Sequence, residues 1–429
     1  MRIEEMVNYF DYNYPRPESR DVPFAVDLTV MPAPWSRESK LLHLAIKGYD
    51  EAPTARPRAN LVLLVDVSGS MAPRDRLDLL KRSFRLLLSQ LDPADSVAIV
   101  SYAGQSGVVL EPTRVRDRNR IEAALDGLGA GGSTAGAVGI VTAYELAERN
   151  FDPKAVNRVI LATDGDFNVG LSEPKRLEDL IARKRETGIY LTVLSVGAGN
   201  LNDRVAQSLA QAGNGNAAHI DNLMEARKVL IDEVDSTLFP IAEDVKIQVE
   251  FNPTRVVAYR LLGYETRALT RDDFVDDRID AGEIGSGHTV TATYEFIPRA
   301  DGTVPMPTLR YGSRTTEAPT AQSDALDEEY AYLKIRYKRP GEARSHLIEQ
   351  VIGTDDDIEL AEESSDDVRF AVAVTAFALL LREDRHLSNF DLSTVVRLAQ
   401  ASRGEDRHGY RAEFVHLVRS AETLRLAVR

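Results

Sequence analysis

The stretch Leu61-Val62-Leu63-Leu64-Val65-Asp66-Val67-Ser68-Gly69-Ser70 decides the fold. Five consecutive apolar residues, two of them β-branched, predict a strand buried on both faces, as in a parallel sheet. The run stops at an Asp and two Ser spaced i, i+2, i+4. In an extended chain that spacing turns all three side-chain oxygens to one side. One carboxylate and two hydroxyls at the carboxyl end of a central strand make a hard-oxygen cradle. Such a cradle suits Mg²⁺ or Mn²⁺, Ca²⁺ less well, and no soft metal.

Two further stretches supply what that cradle lacks. Gly131-Gly132-Ser133-Thr134 is a glycine loop that opens a helix expected from about residue 135 to 149. Val159-Ile160-Leu161-Ala162-Thr163-Asp164-Gly165-Asp166 is a second buried strand that also ends in Asp. The set D-x-S-x-S, a Thr after glycines and a strand-terminal Asp before Gly resembles the metal-ion-dependent adhesion site of von Willebrand factor A (VWA) domains. The strings RIEEMVNYFDY, DVSGSM, GGSTAG, LATDGDFNVG, GNLNDR and DAGEIGSGHTVTA resemble the bacterial envelope-type VWA proteins of the YfbK kind over essentially the whole chain.

The resemblance implies that Ser68, Ser70 and Thr134 bind Mg²⁺ directly or through water, with Asp66 and Asp164 in or just behind the coordination sphere. Gly69, Gly132, Ser133, Asp166 and Asn168 stand behind these ligands as supporting candidates. Mg²⁺ takes six oxygens at about 2.0–2.1 Å and tolerates little distortion. Few of the five ligand groups are charged, which leaves the ion electron-poor and a position open to an outside carboxylate. The resemblance also implies a cell-envelope setting with a longer, exported N-terminus. No signal peptide is expected at the start of the sequence as it stands.

Composition narrows the function classes. The chain has 429 residues, which is long for one core and predicts two or three domains. It carries 52 basic and 67 acidic residues, a formal net charge of -15, so a polyanion such as nucleic acid would be repelled. There is no cysteine, hence no disulfide, thiolate metal site or cysteine nucleophile. The longest uncharged apolar run, Phe370–Leu381, falls far short of the ~20 residues of a bilayer span and predicts a buried helix instead.

The pattern along the chain predicts an α/β fold: a doubly wound, mainly parallel, Rossmann-like sheet inserted in an antiparallel β-sandwich, followed by a helical segment. Residues 1–58 hold a short amphipathic helix (2–10) and two alternating strands (24–30 and 41–47). Residues 59–240 alternate strands (61–66, 95–102, 157–164, 189–196, 217–221) with helices (about 75–91, 117–128, 135–149, 173–187, 201–212, 222–238), the doubly wound signature. Ligands in such sheets sit at the carboxyl ends of the strands, where Asp66 and Asp164 fall. Residues 241–345 return to strands (244–252, 256–262, 288–296, 330–337), expected to complete the sandwich. Residues 346–429 are expected to be helical, at about 366–384, 391–402 and 406–424.

Competing chemistries lack their residues. A phosphatase with an Asp nucleophile at the end of the first strand usually needs a second Asp two residues on, where Ser68 stands. A hydrolase elbow needs Gly where Asp66 stands. The seven histidines show no H-E-x-x-H spacing. Gly129–Gly132 and Gly197-Ala198-Gly199 complete no phosphate-loop pattern. Asp272, Asp273, Asp276, Asp277 and Asp280 do not fit a calcium loop and read as a solvated acidic loop. The expectation is therefore a non-enzymatic, metal-dependent interaction or adhesion module, with an Asp or Glu side chain of a partner protein as its ligand. The alternatives are a metal-assisted hydrolase, a phosphatase or peptidase, and a structural scaffold whose metal site is a relic; either serine could instead merely cap the next helix.

Overall fold

The structure is a computed structural model that describes residues 2–50, 57–103, 106–132, 136–165, 174–197, 202–233, 236, 238–265, 273–274, 282–299, 328–342, 344–387 and 390–428. Two compact units emerge. One comprises Met1–Tyr49, Asp244–Ala281 and Thr289–Arg429; the other comprises Asp50–Glu243 and Gly282–His288. In chain order the first elements are helix α1 (Ile3–Val7) and strands β1 (Phe24–Pro32), β2 (Lys40–Gly48) and β3 (Ala59–Asp66). Next come α2 (Leu77–Leu88), β4 (Ser96–Tyr102), β5 (Ser106–Arg114), α3 (Arg118–Asp126), α4 (Gly136–Arg149), β6 (Val156–Thr163) and α5 (Pro174–Glu186). They are followed by β7 (Ile189–Val196), α6 (Asp203–Ala212), β8 (Ala217–Ile220) and α7 (Leu223–Arg227). The remainder holds β9 (Pro240–Phe251), β10 (Val256–Leu261), β11 (Gly282–Gly285), β12 (Thr289–Pro298), β13 (Glu329–Lys338), β14 (His346–Gly353), α8 (Asp366–Leu381), α9 (Leu392–Ala401) and α10 (Tyr410–Val428).

The unit of residues 50–243 is a six-stranded sheet in the order β5-β4-β3-β6-β7-β8. All neighbours are parallel except β5, which runs antiparallel to β4 at the edge. The unbroken apolar run of β3 is explained by its two partners. Leu61, Leu63 and Val65 enter the core built with α2 and α3, while Val62 and Leu64 enter the opposite core with α4, α5 and α6. Alternation along a strand sends neighbours to opposite faces, and here both faces are covered by helices. The chain leaves β3 toward β4 and β5, then returns to place β6, β7 and β8 on its other side. That reversal opens a crevice at the carboxyl ends of β3 and β6, the ordinary ligand position in such sheets.

In the other unit, β1-β2-β12-β10 form one antiparallel sheet, with β2 paired to β1 and β12. The second sheet of this unit holds β9, β13 and β14 in that order. The two sheets meet through aromatic rings. The Phe251 ring lies 4.3 Å from that of Tyr259 and 5.7 Å from that of Phe296, and the Phe24 and Tyr337 rings are 5.1 Å apart. Helices α8, α9 and α10 pack with α1 around Phe10, Phe370 and Phe414, whose centroids lie 5.0–5.6 Å apart. Within α8, every residue from Phe370 to Leu379 is buried, and no helix among the described residues is long and apolar enough to cross a membrane.

Several elements differ from the sequence expectation. Strand β5 escaped notice because it is an edge strand, exposed at Gly107, Val108 and Val109 and broken by Pro112, so no clean alternation survives. Strand β14 lies within the region expected to be helical; it pairs with β13 from His346 to Gly353, and its isolated alternation is weak without that partner. The helix expected at 222–238 is α7 followed by a π-helical turn, Lys228–Asp232. Of the acidic stretch, Asp272, Asp276, Asp277 and Asp280 lie outside the described residues.

Candidate metal centre

Asp66 ends β3 and is fully buried, with 0% of its surface exposed. Its Oδ1 accepts the backbone N–H of Ser68 at 2.8 Å. Its Oδ2 accepts the hydroxyls of Thr163 at 3.3 Å and Tyr102 at 3.4 Å. Tyr102 is there because β4 runs parallel to β3 in a register that pairs Asp66 with Tyr102. Thr163 arrives from the end of β6, on the other side of β3. Burial pushes the Asp66 carboxyl above its ordinary range, and the negative charge of Asp164 pushes the same way, against the hydrogen bonds from Ser68 and Thr163. Burial also raises the Tyr102 hydroxyl well above its ordinary value, with Asp66 adding to the effect.

Ser68 and Ser70 do meet, but not by strand alternation. The strand ends at Asp66, Ser68 remains extended, and Gly69–Met71 turn in a single 3₁₀ turn. That turn brings the two hydroxyl oxygens within 2.9 Å of each other. Neither serine caps α2: Arg76 stands at its N-cap without a side-chain capping bond. The helix-capping alternative for these serines is thereby excluded.

The glycine loop is stitched to this turn through the backbone. Gly131 N–H donates to Val67 O at 2.7 Å, and Gly69 N–H donates to Gly132 O at 3.0 Å. Gly132 has φ +84°, a conformation that favours glycine. Gly69 and Gly132 therefore act through main-chain atoms beside the serines. Ser133 and Thr134, with Asp166 and Asn168 of the third loop, lie outside the described residues.

Asp164 follows β6 with its side chain fully buried, and Arg76 Nη1 donates to its Oδ2 at 2.5 Å and to Ser70 O at 2.7 Å. Arg76, Tyr102 and Thr163 are the side chains of this cluster that sequence reading missed. An arginine ten residues after Asp66 at the start of a helix carries no motif signal. Only the fold shows that it reaches across to the end of β6.

The donors fit a hard cation. Asp66, Ser68, Ser70 and Asp164 supply only oxygen, and both carboxyls are buried. Among the described residues no three His, Asp or Glu side chains cluster as a metal cage.

Comparison with known proteins finds relatives of this chain. A family described as "von Willebrand factor type A domain" matches residues 61–166, "von Willebrand factor" matches residues 1–43, and "Uncharacterized protein YfbK, C-terminal" matches residues 236–424. "Uncharacterized protein YfbK" of Escherichia coli (strain K12) is 39% identical over 98% of this chain and 73% of its own length. A "UPF0353 protein" of Mycolicibacterium paratuberculosis is 26% identical over 40% of this chain and 58% of its own. Among solved structures, "von Willebrand factor type A from Catenulispora acidiphila" covers 96% of this chain and 91% of its own at 15% identity and a TM-score of 0.49.

Proposed function

Since the chain belongs to the YfbK family of von Willebrand factor type A proteins, we propose that it is an interaction module that captures an acidic side chain of a partner protein through a divalent cation. One observation carries this reading: the hydrogen-bonded cluster Asp66, Ser68 and Ser70 faces Asp164 at the crevice where the strand order reverses. Asp66, Ser68, Ser70 and Asp164 would hold Mg²⁺, with Mn²⁺ or Ca²⁺ as substitutes and Thr134 as the further ligand that the sequence motif supplies. Bound there, a hard divalent cation offers a coordination position to a carboxylate oxygen.

The remaining work falls to the protein. The Ser68 N–H and the Thr163 and Tyr102 hydroxyls fix both oxygens of Asp66, so its orientation is set before any ligand arrives. Because Ser68 and Ser70 are neutral, they add donors without adding negative charge, which keeps the site attractive to an anion. An envelope location and the absence of catalysis belong to the same proposal.

Titration calorimetry with Mg²⁺ and Mn²⁺ on wild type and Asp66→Ala, in metal-stripped buffer, tests it. Saturable binding in the wild type that disappears in Asp66→Ala supports the site. No binding to the wild type would leave the five-residue motif as a relic and favour a scaffold role.

A further inference from the structure

We propose that Arg76 is the residue that sets the site's preference for an acidic partner, at the expense of cation affinity. This rests on the metal-site reading above. Among the described residues, the charged side chains in the hydrogen-bonded cluster are Asp66, Asp164 and Arg76, joined through Ser68 and Ser70. Two carboxylates alone would neutralise a divalent ion and leave little pull on a further anion. With Arg76 in place the three side chains sum to one negative charge, so the loaded site carries one net positive charge. An approaching carboxylate then meets an attractive field, whereas a cation meets a guanidinium already bonded to one of its ligands.

The geometry shows that this charge is held in position. The Arg76 side chain is 13% exposed, and Asp164, its partner, is 0% exposed. The bond to Ser70 O ties the guanidinium to the serine turn, and the bond to Asp164 ties it to β6. Its stem lies against Gly197, at the end of β7, where a Cβ would stand 2.7 Å from Arg76 Cγ and 2.9 Å from Nε. Arg76 Nε is buried without a hydrogen-bond partner among the described residues. An arginine placed to maximise hydrogen bonding would not leave that donor unmet; its Nη1 bonds instead put the positive charge on Asp164.

An ordinary structural staple and a charge that tunes the site predict different signs. Losing a staple weakens every ligand. Losing the Arg76 charge tightens the cation and weakens the anion, each by about tenfold or more for a unit charge at this range and an effective dielectric near 20. The experiment compares wild type, Arg76→Met, which keeps a long apolar stem beside Gly197, and Arg76→Lys, which keeps the charge. Mn²⁺ affinity is read by calorimetry, and acetate binding to the Mn²⁺-loaded protein by the loss of water-proton relaxation enhancement. The expected result is tighter Mn²⁺ and weaker acetate in Arg76→Met, with Arg76→Lys close to wild type on both. Equal or weaker Mn²⁺ binding in Arg76→Met overturns the inference while leaving the metal site intact. Absence of Mn²⁺ binding in the wild type overturns the metal-site reading, and this inference with it. Should Arg76→Met fail to fold by circular dichroism, Arg76→Gln is read by the same two signs.

Discussion

Gly197 shows how tightly single residues are constrained around the cluster. Its φ is +86°, a region that side-chain-bearing residues rarely adopt, and a Cβ there would press on Arg76. Gly197→Ala is expected to cost about 1–3 kcal/mol of stability, the usual cost of a strained backbone, measured by urea unfolding. It should also shift Arg76 and so change Mn²⁺ affinity, whereas Gly129→Ala, with nothing within 4 Å of its Cβ, should leave both unchanged. Of the residues in this cluster, Asp66, Ser68, Ser70 and Asp164 were legible as candidates because their spacing is a motif in one dimension. Tyr102 and Thr163 were not, since they reach Asp66 only through the neighbouring strands.

At the scale of elements, β3 carries the molecule's α/β unit. Its residues Leu61 to Val65 are each at most 3% exposed, and burying such side chains contributes about 1.5–3 kcal/mol apiece. Leu64, at 0% exposure, packs into the core shared with Ile140 and Leu191. Leu64→Ala is expected to cost about 2–5 kcal/mol through the lost contacts and the cavity left behind, seen as a fall in the urea midpoint. The cap of α8 is a smaller effect of the same kind. The Ser365 hydroxyl accepts the Val368 N–H at 3.2 Å, and Ser365→Ala should cost about 1 kcal/mol in the same measurement. Each change acts on the unit that contains it.

For the whole molecule, two linkages to solution conditions follow. A cation that binds the folded chain and not the unfolded one stabilises it by about 2.7 kcal/mol at a hundredfold excess over Kd. Mg²⁺ should therefore raise the melting temperature of the wild type and leave that of Asp66→Ala unchanged, a difference that calorimetric scanning reads. The second linkage is to pH. His43 is buried at 0% exposure, with Nε2 3.1 Å from the Tyr14 hydroxyl, and burial lowers its pKa from 6.5 to about 4. Between those values the unfolded chain binds the proton and the folded chain does not, so stability falls as pH drops through that window. The loss is on the order of 3 kcal/mol and is complete below about pH 4. His43→Gln, which does not titrate, should lack this component. The chain's single tryptophan, Trp35, lies in the same unit, hydrogen-bonded to Glu295 at 2.9 Å, so its fluorescence reports the difference.

What the sequence determined by itself is the part encoded in local periodicity and spacing. The apolar run before Asp66 specified a strand covered on both faces, the strand–helix alternation specified the doubly wound sheet, and D-x-S-x-S marked the end of its central strand. Tertiary structure decided what depends on chain reversal and on partners distant in sequence. The serine hydroxyls meet through a 3₁₀ turn rather than an extended chain, because Val67 makes the last bond to β4, its N–H donating to Tyr102 O at 3.0 Å, and the chain turns at Gly69–Met71 beyond it. Strands β5 and β14 form at sheet edges, where one paired neighbour compensates for weak alternation. Arg76 joins the site because α2 begins where the sheet's strand order reverses, which places a guanidinium 88 residues away in sequence against the carboxylate that ends β6.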